Sequence, residues 1–233
     1  MSQYDLSNFE ISDDEIIEYK LILIGDSSVG KTCLFKKITS GVFLGKNVST
    51  VGIDKKTLPY VYDFDENGKK VQKNVVINLT DTAGQERYKS ITKSYYKGSN
   101  GVILLEDITD RRSFDHIEEW ITSIKNSVGN YEESKYTIFL LGTKLDLVKE
   151  EKKKREVEIE EAQKKCKEFE LEWGGECSSK YFSEDKYKEM FKEFVKKIYE
   201  KIGYNREMRK TVATLDTSNK VKPKKNLNTY FYT

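Results

Sequence analysis

Short apolar runs alternate with longer amphipathic runs along most of this chain. Strands are predicted at residues 19–24, 55–62, 71–79, 101–106, 137–141 and 173–177, and helices at 32–39, 113–127, 151–170 and 184–202. The residues Asn67-Gly68 between the second and third strands are a hairpin signal. This alternation predicts an α/β fold with a mostly parallel six-stranded sheet flanked by helices.

Composition and charge indicate which partners to expect and how the chain divides into segments. The chain has 233 residues and a net charge of +2, so a nucleic acid is not an expected partner. Residues 1–18 carry six acids and no base, and residues 202–233 carry seven bases against two acids. We therefore expect an acidic flexible segment at 1–18, one globular domain at 19–202 and a basic flexible tail at 203–233.

Cysteine usage and the termini bear on where the protein acts. Cys33, Cys166 and Cys177 have no metal-ligand spacing, which predicts reduced thiols in a cytoplasmic protein. Neither a membrane-spanning stretch nor a signal peptide is expected. Since the chain starts Met1-Ser2 and has no cysteine near residue 233, lipid attachment by the usual motifs is not expected either. Membrane association should be weak, through the basic tail, or depend on a partner.

The segment between the first predicted strand and helix fits the pattern G-x-x-x-x-G-K-[ST]. Small residues let consecutive backbone N–H groups surround phosphate oxygens, and the helix N-terminus adds partial positive charge. Lys31 would reach the β- and γ-phosphates, and the Thr32 hydroxyl would bind Mg²⁺. Cys33 is also a candidate for nucleotide contact, although we interpret its thiol as a packed group and not a nucleophile. The pattern consists of Gly25, Asp26, Ser27, Ser28, Val29, Gly30, Lys31 and Thr32.

A second motif, Asp81-Thr82-Ala83-Gly84-Gln85-Glu86, follows the third predicted strand. Asp81 at a strand end can hold Mg²⁺ through water. Gly84 allows its backbone N–H to approach a γ-phosphate. Gln85 can orient an attacking water molecule with its amide, which makes it the catalytic candidate.

Two further motifs and a threonine complete the order of motifs found in small GTPases. The additional residues are Thr50, then Thr143-Lys144-Leu145-Asp146, then Glu176-Cys177-Ser178-Ser179-Lys180. From about residue 19 to 202 the chain resembles the Ras superfamily, and residues 85–92 and 95–99 are most similar to Rab proteins. The resemblance implies a P-loop GTPase domain that binds GTP and GDP with Mg²⁺.

The resemblance also implies roles for individual residues. Asp146 would select guanine by accepting hydrogens from N1 and N2, and Lys144 would lie along the base. Phe43 would pack on the other face of the base, unless it is ordinary core filling. Thr50 would bring its hydroxyl and carbonyl to Mg²⁺ and the γ-phosphate. The implied metal ligands are therefore Thr32, Thr50 and Asp81, and the remaining base contacts are Thr143, Ser178, Ser179 and Lys180.

The chain departs from the family pattern at several positions. Thr143 stands where most members have asparagine. Ser28 stands where Rab proteins usually have glycine, and this second departure puts the hydrolysis rate in doubt. The hairpin through residues 59–73 is longer than usual. The aromatic positions that Rab effectors usually contact are here Lys55, Thr80 and Tyr95. His116 is interpreted as a helix residue without a catalytic role.

These observations lead to one favoured hypothesis and two alternatives. The favoured one is a monomeric GTP/GDP switch with slow hydrolysis, served by effector, exchange-factor and GTPase-activating proteins. By resemblance it would act in vesicle transport, in the cytoplasm or peripherally on endomembranes. The first alternative is a nucleotide-binding scaffold with little hydrolysis. The second, an ATPase or small-molecule kinase, is disfavoured by Asp146.

Overall fold

The computed structural model describes residues 16–45, 53–66, 69–82, 96, 98–128 and 136–202. The strands are β1 Ile16–Gly25, β2 Asp54–Glu66, β3 Lys69–Asp81, β4 Gly101–Asp107, β5 Thr137–Thr143 and β6 Glu172–Glu176. The helices are α1 Lys31–Ser40, α2 Arg111–Asp115, α3 Ile117–Val128, α4 Leu145–Lys149, α5 Ile159–Phe169 and α6 Glu184–Ile202. None of the helices in these ranges is long and apolar enough to cross a membrane.

The six strands form one sheet in the order β2-β3-β1-β4-β5-β6. Only the β2–β3 hairpin is antiparallel, and the other four pairings are parallel. The prediction of a mostly parallel six-stranded sheet is therefore confirmed. Because the carboxyl ends of β1, β3, β4 and β5 lie at one edge, the segments that follow these strands converge there.

The sheet is buried on both faces, which explains why its central strands are continuously apolar. Leu21 and Leu23 of β1 face a core shared with α1 and α6, whereas Ile22 and Ile24 face a second core shared with α3 and α5. Every residue of β4 and β5 is buried. A parallel sheet covered on both sides has this pattern, and it fixes the strand ends that carry the polar side chains.

The long β2–β3 hairpin packs against the last helix. Each of its strands has 13 residues. The Phe64 and Tyr199 ring centroids are 4.5 Å apart, and those of Tyr60 and Phe191 are 6.3 Å apart. The Tyr62 hydroxyl donates to the Lys188 carbonyl at 3.4 Å. The length that distinguishes this hairpin from the family pattern is thus covered by aromatic contacts with α6.

Three of the predicted elements differ clearly from the structure, two of them near their starts. β1 starts at Ile16, three residues before the predicted start at residue 19. The helix predicted over residues 113–127 is split at His116 into α2 and α3. These differences lie at element boundaries, where a periodic pattern of apolar residues carries the least information.

The helix predicted over residues 151–170 is wrong in its first half, since α5 begins only at Ile159. Glu151 has a φ of 56°, and the backbone N–H groups of Lys152 and Lys153 both donate to the Leu147 carbonyl. The Arg155 guanidinium donates to both Glu176 carboxylate oxygens at 2.5 and 2.9 Å. These tertiary contacts replace the helical backbone hydrogen bonds that the charged sequence alone would favour.

Candidate nucleotide-binding site

The turn from β1 into α1 contains three residues with positive φ. These angles are 134° at Gly25, 68° at Ser28 and 107° at Gly30. A Cβ on Gly25 would lie 2.4 Å from the Leu105 carbonyl oxygen, so only glycine fits there. Serine at the left-handed position 28 costs about 1 kcal/mol relative to glycine. The turn therefore has the tightly curled backbone that a phosphate loop requires.

Lys31, the first residue of α1, is folded back over this turn. Its ammonium group donates to the Gly25 carbonyl at 2.6 Å and to the Asp26 carbonyl at 2.7 Å. The residue is only 4% exposed, so its charge is held in one position beside the loop. A phosphate in the loop would meet this ammonium group together with the N-terminus of α1.

Asp81 ends β3 beside the strand that leads into the phosphate loop, since the register pairs it with Leu23. Asp81 is fully buried, and neither carboxylate oxygen has a hydrogen-bond partner of normal geometry among the described residues. Burial raises the pKa of Asp81 to about 6, although the nearby Thr32 hydroxyl and Lys31 ammonium group lower it. Carboxylate oxygens beside a threonine hydroxyl are ligands that Mg²⁺ prefers. Thr32 and Asp81 therefore fit the expected metal.

Thr143 connects the phosphate loop to the opposite end of the site. Its hydroxyl lies 2.6 Å from the Val29 carbonyl oxygen and 2.7 Å from the Glu106 carbonyl oxygen. The single hydroxyl proton serves one carbonyl at a time. Although the family pattern favours asparagine here, the shorter threonine still reaches both carbonyls, so this departure keeps the loop tied to the sheet.

Lys144 is held by an aspartate that we did not predict from the sequence. It has a left-handed backbone with a φ of 63°, and its ammonium group donates to Asp107 Oδ2 at 2.6 Å. The other carboxylate oxygen of Asp107 accepts from the Thr109 backbone and hydroxyl at 2.9 and 2.6 Å. Asp107 ends β4 as Asp81 ends β3, and this parallel could have identified it.

Asp146 lies in the first turn of α4 and is 8% exposed. The Ser178 hydroxyl donates to its Oδ1 at 2.8 Å. The same hydroxyl oxygen accepts from the Lys180 and Tyr181 backbone N–H groups, both at 3.2 Å. The loop after β6 therefore orients the Asp146 carboxylate, which keeps acceptor capacity for the two N–H groups of a guanine edge.

The remaining predicted site residues have different outcomes. The Lys180 ammonium group donates to Glu150 at 2.6 Å, so its side chain is engaged beyond α4. Burial raises the pKa of the Cys33 thiol, which agrees with a packed group. Phe43 is 39% exposed after α1, and its contact with a base stays a prediction. Thr50, Gly84 and Gln85 lie outside the described residues.

The phosphate loop also has contacts with α3 that the sequence did not suggest. Asp26 Oδ2 lies 2.6 Å from His116 Nδ1, and Asp26 Oδ1 accepts from the Trp120 indole N–H at 2.8 Å. Both side chains lie at least 90 residues away in sequence, His116 at the α2–α3 junction and Trp120 on α3, so neither spacing nor motif could reveal the pairing.

Comparison with known proteins decides the family. The sequence matches the Ras family over residues 20–200. This chain belongs to the Ras family. Rab-13 from Rattus norvegicus is 37% identical over 210 residues, which cover 90% of this chain and 94% of the rat protein. Rab-13 from Canis lupus familiaris is 43% identical over 150 residues, 64% of this chain and 66% of the dog protein. Rab-19 from Xenopus laevis is 40% identical over 144 residues, 62% of this chain and 60% of that protein.

These relatives make the chain a divergent, Rab-like member of the Ras family, and hence a small GTPase. Members of this family bind GTP and GDP, generally with Mg²⁺. The phosphate loop, Asp81, Lys144 and Asp146 meet at the carboxyl edge of the sheet, where a doubly covered parallel sheet binds its ligands.

Proposed function

We propose that this protein is a Rab-like switch that binds GTP and GDP with Mg²⁺ and hydrolyses GTP slowly. In its GTP-bound state it would be recognised by effector proteins. One observation carries the proposal: the Thr143 hydroxyl joins the phosphate loop to the base motif, between Val29 and Glu106. The phosphate loop and the base motif are thereby held in fixed positions relative to each other.

At the phosphate end, Lys31 supplies positive charge and the loop supplies backbone N–H groups. Thr32 and Asp81 supply oxygen ligands for Mg²⁺, with Thr50 as the expected third. When bound, Mg²⁺ neutralises charge on the β- and γ-phosphates. At this end the protein recognises a charged triphosphate without regard to the base.

At the base end, Asp146 discriminates between purines. Guanine presents two adjacent N–H donors to a carboxylate, and adenine lacks this pair. Because the Ser178 hydroxyl already holds Asp146 Oδ1 at 2.8 Å, the carboxylate is oriented before a base arrives. We therefore infer a strong preference for guanine over adenine nucleotides.

Hydrolysis would depend on Gln85 as the group that orients the attacking water. We infer slow intrinsic turnover, because an arginine supplied by an activating partner raises GTPase rates by roughly 10³–10⁵. The γ-phosphate would draw Thr50 and Gly84 inward, and hydrolysis would release them. This change is what an effector would recognise.

The partners and the place of action follow from the Rab likeness. Exchange factors, activating proteins and effectors in vesicle transport are the proposed partners of a monomeric protein. Lys55 pairs directly with Thr80 across the β2–β3 hairpin, at positions where Rab effectors usually meet aromatic side chains. We propose a cytoplasmic protein that reaches endomembranes peripherally, with a partner set that differs from those of typical Rab proteins.

A nucleotide-binding scaffold with little hydrolysis remains the second candidate. The strained left-handed serine at position 28 favours it, because Rab proteins usually place glycine in this part of the phosphate loop. The two candidates share the nucleotide site and differ only in turnover.

Single-turnover hydrolysis of bound GTP tests the proposal. The wild type should convert GTP to GDP slowly, whereas Gln85→Leu should bind GTP equally well and hydrolyse it at least about tenfold more slowly. Gln163→Leu, an exposed glutamine on α5, is the matched control and should hydrolyse at the wild-type rate. GTP-against-ATP competition in the same preparation checks base selectivity.

Three results would change the assignment. Equal rates in the wild type and Gln85→Leu would assign water positioning to another group or to a partner. Bound GTP that persists in both proteins would favour the scaffold. Competition by ATP as effective as by GTP would remove guanine selection altogether.

A further inference from the structure

The second residue of the phosphate loop is held by two distant side chains, one from the junction of α2 and α3 and one from α3. His116 Nδ1 and Trp120 Nε1 lie 2.6 and 2.8 Å from the two different carboxylate oxygens of Asp26. His116 is the only histidine in the chain. A carboxylate held at both oxygens cannot rotate, so the backbone of Asp26 is fixed with it.

The backbone carbonyl of Asp26 in turn holds the lysine that would contact phosphate. It accepts from the Lys31 ammonium group at 2.7 Å and from the Val29 backbone N–H at 3.4 Å. A continuous series of contacts therefore runs from the junction of α2 and α3, through Asp26, to Lys31. Loss of the first contact would loosen the loop and raise the cost of ordering it around a ligand.

We propose that His116 is a positioning residue for the phosphate loop and that its protonation strengthens the retention of bound guanine nucleotide. The inference rests on the proposed nucleotide binding. A histidine ordinarily titrates near pH 6.5, and an imidazolium forms a charge-assisted hydrogen bond with Asp26, stronger than that of neutral imidazole. Nucleotide release should therefore accelerate as the pH rises and His116 loses its charge.

The charged side chains of α2 near His116 are engaged in ion pairs, including one between Arg111 and Glu161 of α5 at 2.8 Å. Arg112 binds Asp110 at 3.1 Å, and Arg111 binds Asp115 at 3.1 Å. The backbone N–H of His116 donates to the Arg112 carbonyl. Asp26 Oδ2, 2.6 Å from Nδ1, is a carboxylate oxygen in direct contact with the imidazole. The Arg112 guanidinium also interacts electrostatically with the Asp26 carboxylate.

The test is the dissociation rate of a fluorescent GDP analogue in Mg²⁺ buffer, measured between about pH 5.5 and 8.5. His116→Asn places an amide donor near the position of Nδ1 but does not titrate, and His116→Phe keeps a ring without a donor. The ratio of the wild-type rate to the His116→Asn rate should rise about threefold across this range. His116→Phe should release GDP about fivefold faster than His116→Asn at every pH.

A flat ratio of wild type to His116→Asn overturns the proposal, and this comparison decides even if His116→Phe fails to fold. Equal rates for His116→Phe and His116→Asn would also overturn it. A lower Tm of His116→Phe with unchanged GDP release would make the histidine structural only. Failure of the wild type to retain any guanine nucleotide would instead contradict the proposed function, so the two failures are distinguishable.

Discussion

The base end and the phosphate end of the site differ in how their polar side chains are paired. At the base end, Lys144 binds Asp107 and Asp146 binds Ser178, at 2.6 and 2.8 Å. At the phosphate end, both oxygens of the buried Asp81 have no partner of normal geometry among the described residues. A strained serine also lies in the loop, with a φ of 68° at Ser28.

This difference indicates which end depends on its ligand. At the base end, Lys144 and Asp146 are preorganised, because their hydrogen bonds form within the protein and cost little to keep when guanine binds. The phosphate end carries a desolvated carboxylate whose pKa is raised to about 6 by burial, and a cation there would relieve that cost. We therefore expect phosphate and Mg²⁺ to contribute more to affinity than the base does.

Lys31→Ala tests the phosphate end and should have the largest effect on nucleotide affinity. It removes a buried ammonium group that both orders the loop and faces the phosphates, so nucleotide affinity should fall at least about 100-fold. Lys37→Ala, in the last turn of the same helix, is the matched control and should bind normally. Titration with a fluorescent GDP analogue measures both. A Lys31→Ala protein that purifies with a full complement of nucleotide would contradict the assignment of the phosphate end.

Asp146→Asn tests the base end. The amide can still accept from Ser178, but then its N–H₂ group faces the donors of guanine, and GTP binding should weaken by more than about 2 kcal/mol. Asp185→Asn changes an aspartate in the first turn of α6, as Asp146 is in the first turn of α4, and should have no effect. Calorimetry compares the two. An unchanged GTP affinity would remove Asp146 from the base site.

Glu106→Gln tests whether the buried Glu106 carboxyl, near the base end, is protonated in the native protein. Glu106 is fully buried, its carboxyl oxygens have no partner among the described residues, and burial, with help from Glu176, raises its pKa to about 8. An unfolded glutamate ionises near pH 4.3. Between about pH 4.3 and 8, Glu106 is therefore protonated in the native state and ionised in the unfolded state. The free energy of unfolding of the wild type should fall with rising pH through this window, relative to that of Glu106→Gln. The advantage of the variant should grow through this window and level off above it, at more than about 1 kcal/mol.

Urea unfolding at pH 5, 6.5 and 8 (each about ±0.1) with constant Mg²⁺ and GDP measures this advantage. Glu168→Gln, an exposed glutamate on α5, provides the control and should show no growing advantage. A difference between Glu106→Gln and wild type that stays constant with pH would mean that the Glu106 carboxyl does not carry the predicted proton.

Thr143→Val should give the smallest effect. It removes the hydroxyl between the Val29 and Glu106 carbonyls while keeping the shape of the side chain, so GDP release should accelerate by about fivefold, as for one lost hydrogen bond of about 1 kcal/mol. Thr143→Ser retains the hydroxyl and should release GDP close to the wild-type rate. Equal release rates in the valine and serine variants would show that the two ends are not coupled through this group.

Much of the fold and the site could be predicted from the sequence because both depend on short-range patterns. Buried parallel strands require continuous apolar runs, and a phosphate loop requires glycines at fixed spacing before a lysine. Residues 151–158 could not be placed in this way. Their charges suit a helix, but the Arg155–Glu176 pair and the Glu156 N–H bond to the Ile108 carbonyl decide their conformation.

The amino-acid sequence was enough to predict the order of the six strands and of the four longest helices, the phosphate loop and the residues expected at both ends of the nucleotide. Only the tertiary structure decided that Asp107 holds Lys144, that Ser178 orients Asp146, and that His116 and Trp120 hold Asp26. The reason is physical. A motif records which residues lie close together along the chain, whereas each of these hydrogen bonds joins residues 32 to 94 positions apart and depends on how the strand ends converge.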